Sequence, residues 1–111
     1  MGIQNWSDNV ILINLANEPQ MAEELQTVIE MVTENGTCDI VVDFADVDII
    51  TSSSIAKLLK LRKILSGCGR SIVFSSVSAK TKNIFAVTGL EGIFEFVEDQ
   101  FIALAGLQMV H

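Results

Sequence analysis

VVDFADVDIITSSSIAKLL, Val41 to Leu59, passes from an apolar run through a turn spaced by acids into four consecutive hydroxyl residues, and then into a helical pattern. Extended back by two residues, Asp39 to Phe44 is a short β-branched apolar run and reads as a buried strand. Beyond the hydroxyls, Ile55, Leu58, Leu59, Arg62 and Leu65 fall on successive helical turns, with Lys57, Lys60 and Lys63 on another face. This spacing predicts a helix over roughly residues 53–66, stopped by Gly67-Cys68-Gly69.

The same reading extends to both sides. Val10 to Leu15 is an apolar strand, and Gly2 to Trp6 can pair with it through the turn-prone Ser7-Asp8-Asn9. Ala16 to Gln20 breaks the pattern with the only proline. Met21, Leu25, Val28, Ile29 and Val32 then follow helical spacing, with Gly36 as the expected C-cap. Ser71 to Ser76 reads as a third central strand and Ser78 to Leu90 as a short helix closed by Gly89. Ile93 to Glu98 reads as a brief strand and Asp99 to Met109 as a final helix.

The order ββαβαβαβα, with single helices between strands, predicts an α/β fold. Its sheet is mixed and mostly parallel, with right-handed crossovers, and carries about four helices. Each helix has one apolar face, so the helices are expected mainly on one side of the sheet. Ile40, Val42, Ile72, Phe74, Ile55, Leu58 and Leu59 are expected in the core.

Composition narrows the function. The 111 residues suit one domain spanning 1–111, and half of them are apolar, which excludes disorder. Apolar runs are short and broken by charges, and the start lacks a basic, apolar leader, so neither membrane insertion nor secretion is expected. Cys38 and Cys68 stand alone, as buried packing residues of a cytoplasmic protein, without the spacing of a zinc site. A net charge of −7 argues against nucleic acid. Every Lys and Arg lies between Lys57 and Lys82, whereas residues 1–56 carry only acids.

The residues carry no sign of catalysis. No serine sits in a Gly-x-Ser-x-Gly elbow, no glycine-rich loop cradles a nucleotide, and the single histidine is the terminal His111. Neither a cofactor nor a metal is expected. Asp43, Asp46 and Asp48 are better read as lining a strand-to-helix turn than as cation ligands.

The hydroxyls Thr51, Ser52, Ser53 and Ser54 exceed what a helix start needs. One of the first three caps the helix by accepting a free N–H of the first turn, a bond worth about 1 kcal/mol. There is no Glu or Gln at positions 55–57 to complete a capping box. A helix N-terminus also tolerates a phosphate, which adds roughly two negative charges for any docked partner to meet.

Val41 to Leu59 resembles the central motif of STAS domains, the family that includes the bacterial anti-sigma factor antagonists. Val77 to Phe96 resembles that family's later helix, Gly-Leu and final strand, so the resemblance covers nearly the whole chain. Position by position, it makes Ser52 the phosphorylation acceptor, with Ser53 or Thr51 as the alternative acceptor or the helix cap. Thr51 stands where the family has Asp, and Ser54 where it has Gly. The resemblance implies a partner interface that includes Glu18, Ser54 and Lys57. It further implies an anti-sigma factor serine kinase as partner, with a phosphatase as a second one. The alternative it leaves is a STAS scaffold or transport-associated module that does not cycle through phosphorylation.

Overall fold

In the computed structural model the described residues are 2–35 and 38–110, with Asn35 and Gln108 to Val110 described by their backbone alone. The expected C-cap Gly36 and the terminal His111 lie outside these residues.

The elements follow the expected order. β1 (Gly2–Ser7) and β2 (Val10–Asn14) form a hairpin, followed by α1 (Gln20–Asn35) and β3 (Asp39–Asp43). Then come α2 (Ser52–Gly67), β4 (Ile72–Ser75), α3 (Ala79–Val87), β5 (Glu95–Val97) and α4 (Gln100–Val110). The strands lie side by side in chain order. β1 is antiparallel to β2, and every later pair is parallel.

β3 is central and buried at all five positions, as its unbroken apolar run requires of a strand covered on both faces. Side-chain alternation divides the interior into two layers. Ile11, Ile13, Ile40, Val42, Ile72 and Phe74 point toward α1, α2 and α3. Val10, Leu12, Val41 and Val73 point to the other face, where Ala103, Leu104 and Leu107 of α4 cover them. The helices are therefore mainly on one side, and α4 alone builds the second layer. Phe74 anchors the larger layer, with its ring 4.9 Å from Phe44, 4.4 Å from Phe94 and 5.7 Å from Phe85.

Two expectations need correction. The buried face of α2 is Ser54, Ile55, Leu58, Leu61 and Leu65. Leu59 is only half-buried, and Leu61 takes the place expected for it. Arg62 leans out, its Nε donating to the Ile93 carbonyl at 3.0 Å. Cys68 is not a packing residue either. It is exposed at the C-cap of α2, where its N–H donates to the Leu65 carbonyl, while Cys38 is half-buried.

Candidate functional site

The parallel strands all point one way, so the loops after β2 and β3 and the start of α2 meet at one edge of the sheet. The loop after β3 enters α2 under tight control. Asp48 is held from both ends by Asn17 of the β2–α1 loop. Its N–H donates to Asn17 Oδ1 at 2.7 Å, and its Oδ2 accepts from Asn17 Nδ2 at 3.3 Å. Ile50 is buried, whereas Ile49 is 59% exposed. An apolar side chain thus stands out between two anchored residues.

The four hydroxyls have three fates. Thr51 is the N-cap of α2, with extended backbone, and its Oγ1 accepts from the Ser54 N–H at 3.2 Å. Ser54 is fully buried and donates through its hydroxyl to Glu18 Oε2 at 2.5 Å. Ser52 and Ser53 are exposed on the first turn, and among the described residues neither is hydrogen-bonded to a carboxylate or an imidazole.

Glu18 organises this end. Besides the Ser54 hydroxyl, its Oε2 accepts from the Thr51 hydroxyl at 2.8 Å and from the Thr51 N–H at 3.3 Å. In a capping box, a carboxyl or amide from the helix's own first turn reaches back to the N-cap N–H. Here a carboxylate from a different loop performs that task, so the box is completed through space. Burial opposes ionisation of Glu18. The bonds from Ser54 and from the hydroxyl and N–H of Thr51, helped by the Ala22 N–H, outweigh it and hold the carboxyl below the usual carboxylate range. The helix dipole favours the same ionised form.

A second acid anchors the neighbouring strand ends. Asp43 Oδ2 accepts from the hydroxyls of Ser75 at 2.9 Å and Ser76 at 3.0 Å, and its Oδ1 accepts from the Ala45 N–H at 3.0 Å. Asp43 and Asp48 are thus tied into turns. Among the described residues no group of three or more His, Cys, Asp or Glu side chains is placed to hold a metal.

The structure brings Glu18, Thr51 and Ser54 into one cluster beside the exposed Ser52 and Ser53. It corrects one interface residue: Ser54 is buried against Glu18, so no partner can touch its side chain. Lys57 is half-buried one turn along α2, its Nζ donating to Gln26 Oε1 at 3.0 Å. Residue-level reading missed the Asn17–Asp48 pair and the work of Glu18, because the partners lie 31 to 36 residues apart. The one available signal was a surplus of hydroxyls without a local acceptor.

This architecture, with a hydroxyl-bearing helix start at the loop edge of a five-stranded sheet, is that of a STAS domain. Residues 4–98 match the STAS_2 family, described as Mlab, STAS domain, and the chain belongs to that family. No curated protein matches the chain. Among solved structures, the unphosphorylated anti-sigma factor antagonist SpoIIAA of Bacillus superposes with a TM-score of 0.77 at 13% identity, covering 96% of both chains. An anti-sigma-factor antagonist (STAS) domain protein from Planctomyces limnophilus gives 0.76 at 17%, covering 96% of this chain and 97% of that one. A sulfate transporter family protein from Wolinella succinogenes gives 0.73 at 16%, covering 91% and 84%. At these identities the likeness speaks for the fold alone. Among the described residues no helix is long and apolar enough to cross a membrane.

Proposed function

We propose that the chain is an anti-sigma factor antagonist, a cytoplasmic protein-binding module switched by phosphorylation of Ser52. Unphosphorylated, it binds an anti-sigma factor serine kinase and so frees a sigma factor. A phosphate on Ser52 adds charge to the contact and ends binding, and a phosphatase resets it. The protein supplies the acceptor and does no chemistry of its own.

The observation that carries this reading is the division of labour among the hydroxyls. Thr51 and Ser54 are engaged with Glu18 in building the helix start, which leaves Ser52 and Ser53 exposed on the first turn, and of the two the family resemblance points to Ser52. A modification there changes the surface and leaves the fold unaffected. SpoIIAA, which shares the fold, has been solved in both unphosphorylated and phosphorylated forms. The exposed Ile49, three residues before Ser52, offers apolar surface that a partner could bury.

Mass spectrometry of the protein from its own host tests the switch, with a phosphate on Ser52 expected. Ser52→Asp is expected to melt like wild type and to bind the cognate kinase at least about tenfold more weakly. Equal binding by Ser52→Asp overturns the reading.

A non-cycling or transport-associated STAS module is the second reading. It is favoured by Thr51 and Ser54 replacing the family's Asp and Gly, and by the fold shared with a sulfate transporter family protein. Under it, Ser52 carries no phosphate in the host and Ser52→Ala changes nothing.

A further inference from the structure

An open sheet has two edges, and each edge strand turns one row of N–H and C=O groups away from its neighbour. The two edges of this sheet, β1 and β5, differ in how they are guarded. β5 has three residues and includes Glu95. β1 has six, Gly2 to Ser7, and holds neither a charged residue nor a proline, the usual guards of an exposed edge. Its pairing with β2 is regular from Gly2 to Asn5 and ends in a bulge before Ser7. Among the described residues, the backbone of Gly2 to Trp6 has no hydrogen bond outside the β1–β2 pair. Gln4, Asn5 and Trp6 are exposed.

A groove of about 550 Å³ lies between this strand and α1. Gly2 and Ile3 line it from β1, and Gln20, Glu23, Glu24 and Thr27 from α1. One of these residues is an acceptor with a lone pair to spare. Glu24 is only 8% exposed, and its Oε1 accepts from the Ala16 N–H at 2.8 Å. Its buried Oε2 has no hydrogen-bond partner among the described residues. Buried acceptors are ordinarily satisfied, so the missing donor points to a group that enters from outside. Glu23 is exposed at the same groove, and no Lys or Arg precedes Lys57 in the chain.

We propose that β1 and this groove dock an extended basic segment of a partner protein, added to the sheet as a further strand. The free edge supplies main-chain hydrogen bonds, and the groove receives side chains from one face of the added strand. Alternation decides which face. Ile3 pairs with Ile13 and packs with it on the α1 side, so every second residue of the added strand points the same way. Those side chains meet Glu23 and Glu24. Lys or Arg there supplies both the opposite charge and the donor that Glu24 lacks. A second copy of this chain fits poorly, because it carries −7 and its own β1 has no basic residue. The inference does not rest on phosphorylation of Ser52.

Titration of the full chain with the peptide acetyl-Thr-Lys-Val-Lys-Val-Lys-Thr-amide tests this. Binding is read by fluorescence of Trp6, the only tryptophan, and by hydrogen exchange of the β1 amides. Saturable binding is expected, with slowed exchange within Gly2 to Asn5. Two altered peptides are expected not to bind: one with Glu in place of Lys, and one N-methylated throughout its Lys-Val core. Glu23→Lys and Glu24→Gln are each expected to weaken binding at least about tenfold. Glu23 is exposed, so its variant keeps the test open if Glu24→Gln fails to fold. Glu91→Lys makes the same change of charge in the exposed turn before β5 and is expected to leave binding unchanged. Absence of binding overturns the proposal. So does equal binding of the N-methylated peptide, or a loss in Glu91→Lys as large as in Glu23→Lys. Concentration-dependent dimerisation of the chain alone, with the same β1 amides protected, assigns the edge to a second copy and overturns it too.

Discussion

Thr51 and Ser53 are chemically similar neighbours with different tasks. Thr51 both accepts the Ser54 N–H and donates to Glu18, whereas the exposed Ser53 holds neither bond. Thr51→Ala is therefore expected to lose about 1–2 kcal/mol in urea unfolding, the upper range for an N-cap. Ser53→Ala should stay within about 0.5 kcal/mol, as surface substitutions do. Glu18 adds a pH dependence. Its carboxyl titrates lower in the folded protein than in the unfolded chain, so its stabilisation is complete above the unfolded value. That contribution is lost as pH falls through the lower folded value. Glu18→Gln is expected to be less stable than wild type at neutral pH and to converge on it in acid. Melting curves that stay parallel as the pH falls would contradict this role. The sequence narrowed the cap to three adjacent hydroxyls but left their order open, because which one caps depends on where the Glu18 loop arrives.

The α2 helix shows the same dependence on a longer scale. Ser54, Leu58, Leu61 and Leu65 recur at helical spacing and form its inner stripe. Hydrophobic periodicity skips this stripe because it starts on a serine. Ile55, Leu58, Leu59, Leu61, Ile64 and Leu65 spread over more than half of the helix circumference, so spacing alone leaves its rotation loosely determined. In the rotation adopted, Ser54 faces inward to Glu18 with Leu58, Leu61 and Leu65, and Leu59 is turned partly out. Leu58→Ala and Leu61→Ala are both expected to cost about 2–5 kcal/mol, the range for fully buried leucines. Leu59→Ala should cost clearly less, and chemical denaturation of the three variants provides the ranking. An equal cost for Leu59→Ala would restore the helix face expected from periodicity.

For the molecule as a whole, the two core layers share β2, β3 and β4, which contribute alternate side chains to each, so the layers are expected to unfold together. Losing α4 contacts must weaken the strands that also support α1 and α2. Leu104→Ala is expected to lower the thermal midpoint while circular dichroism and Trp6 fluorescence still trace one coincident transition. Separate transitions would mean that α4 unfolds as an independent unit. The charge distribution is also a property of the whole chain. The bases confined to residues 57–82 fall on α2, α3 and the segment between them, while α4 carries none.

Local patterns determined which segments are strands and helices, their order, and the hydroxyl-rich start of α2. Alternation with period two and recurrence near 3.6 are written into neighbouring residues, so they survive without any knowledge of the fold. The tertiary structure alone decided that Glu18 completes the cap, that Ser54 is buried while Ser52 is free, and that α4 forms a second layer. Each of these depends on groups some thirty or more residues apart meeting at one edge or one face of the sheet. Bond geometry and exclusion of water select such meetings, and spacing along the chain does not record them.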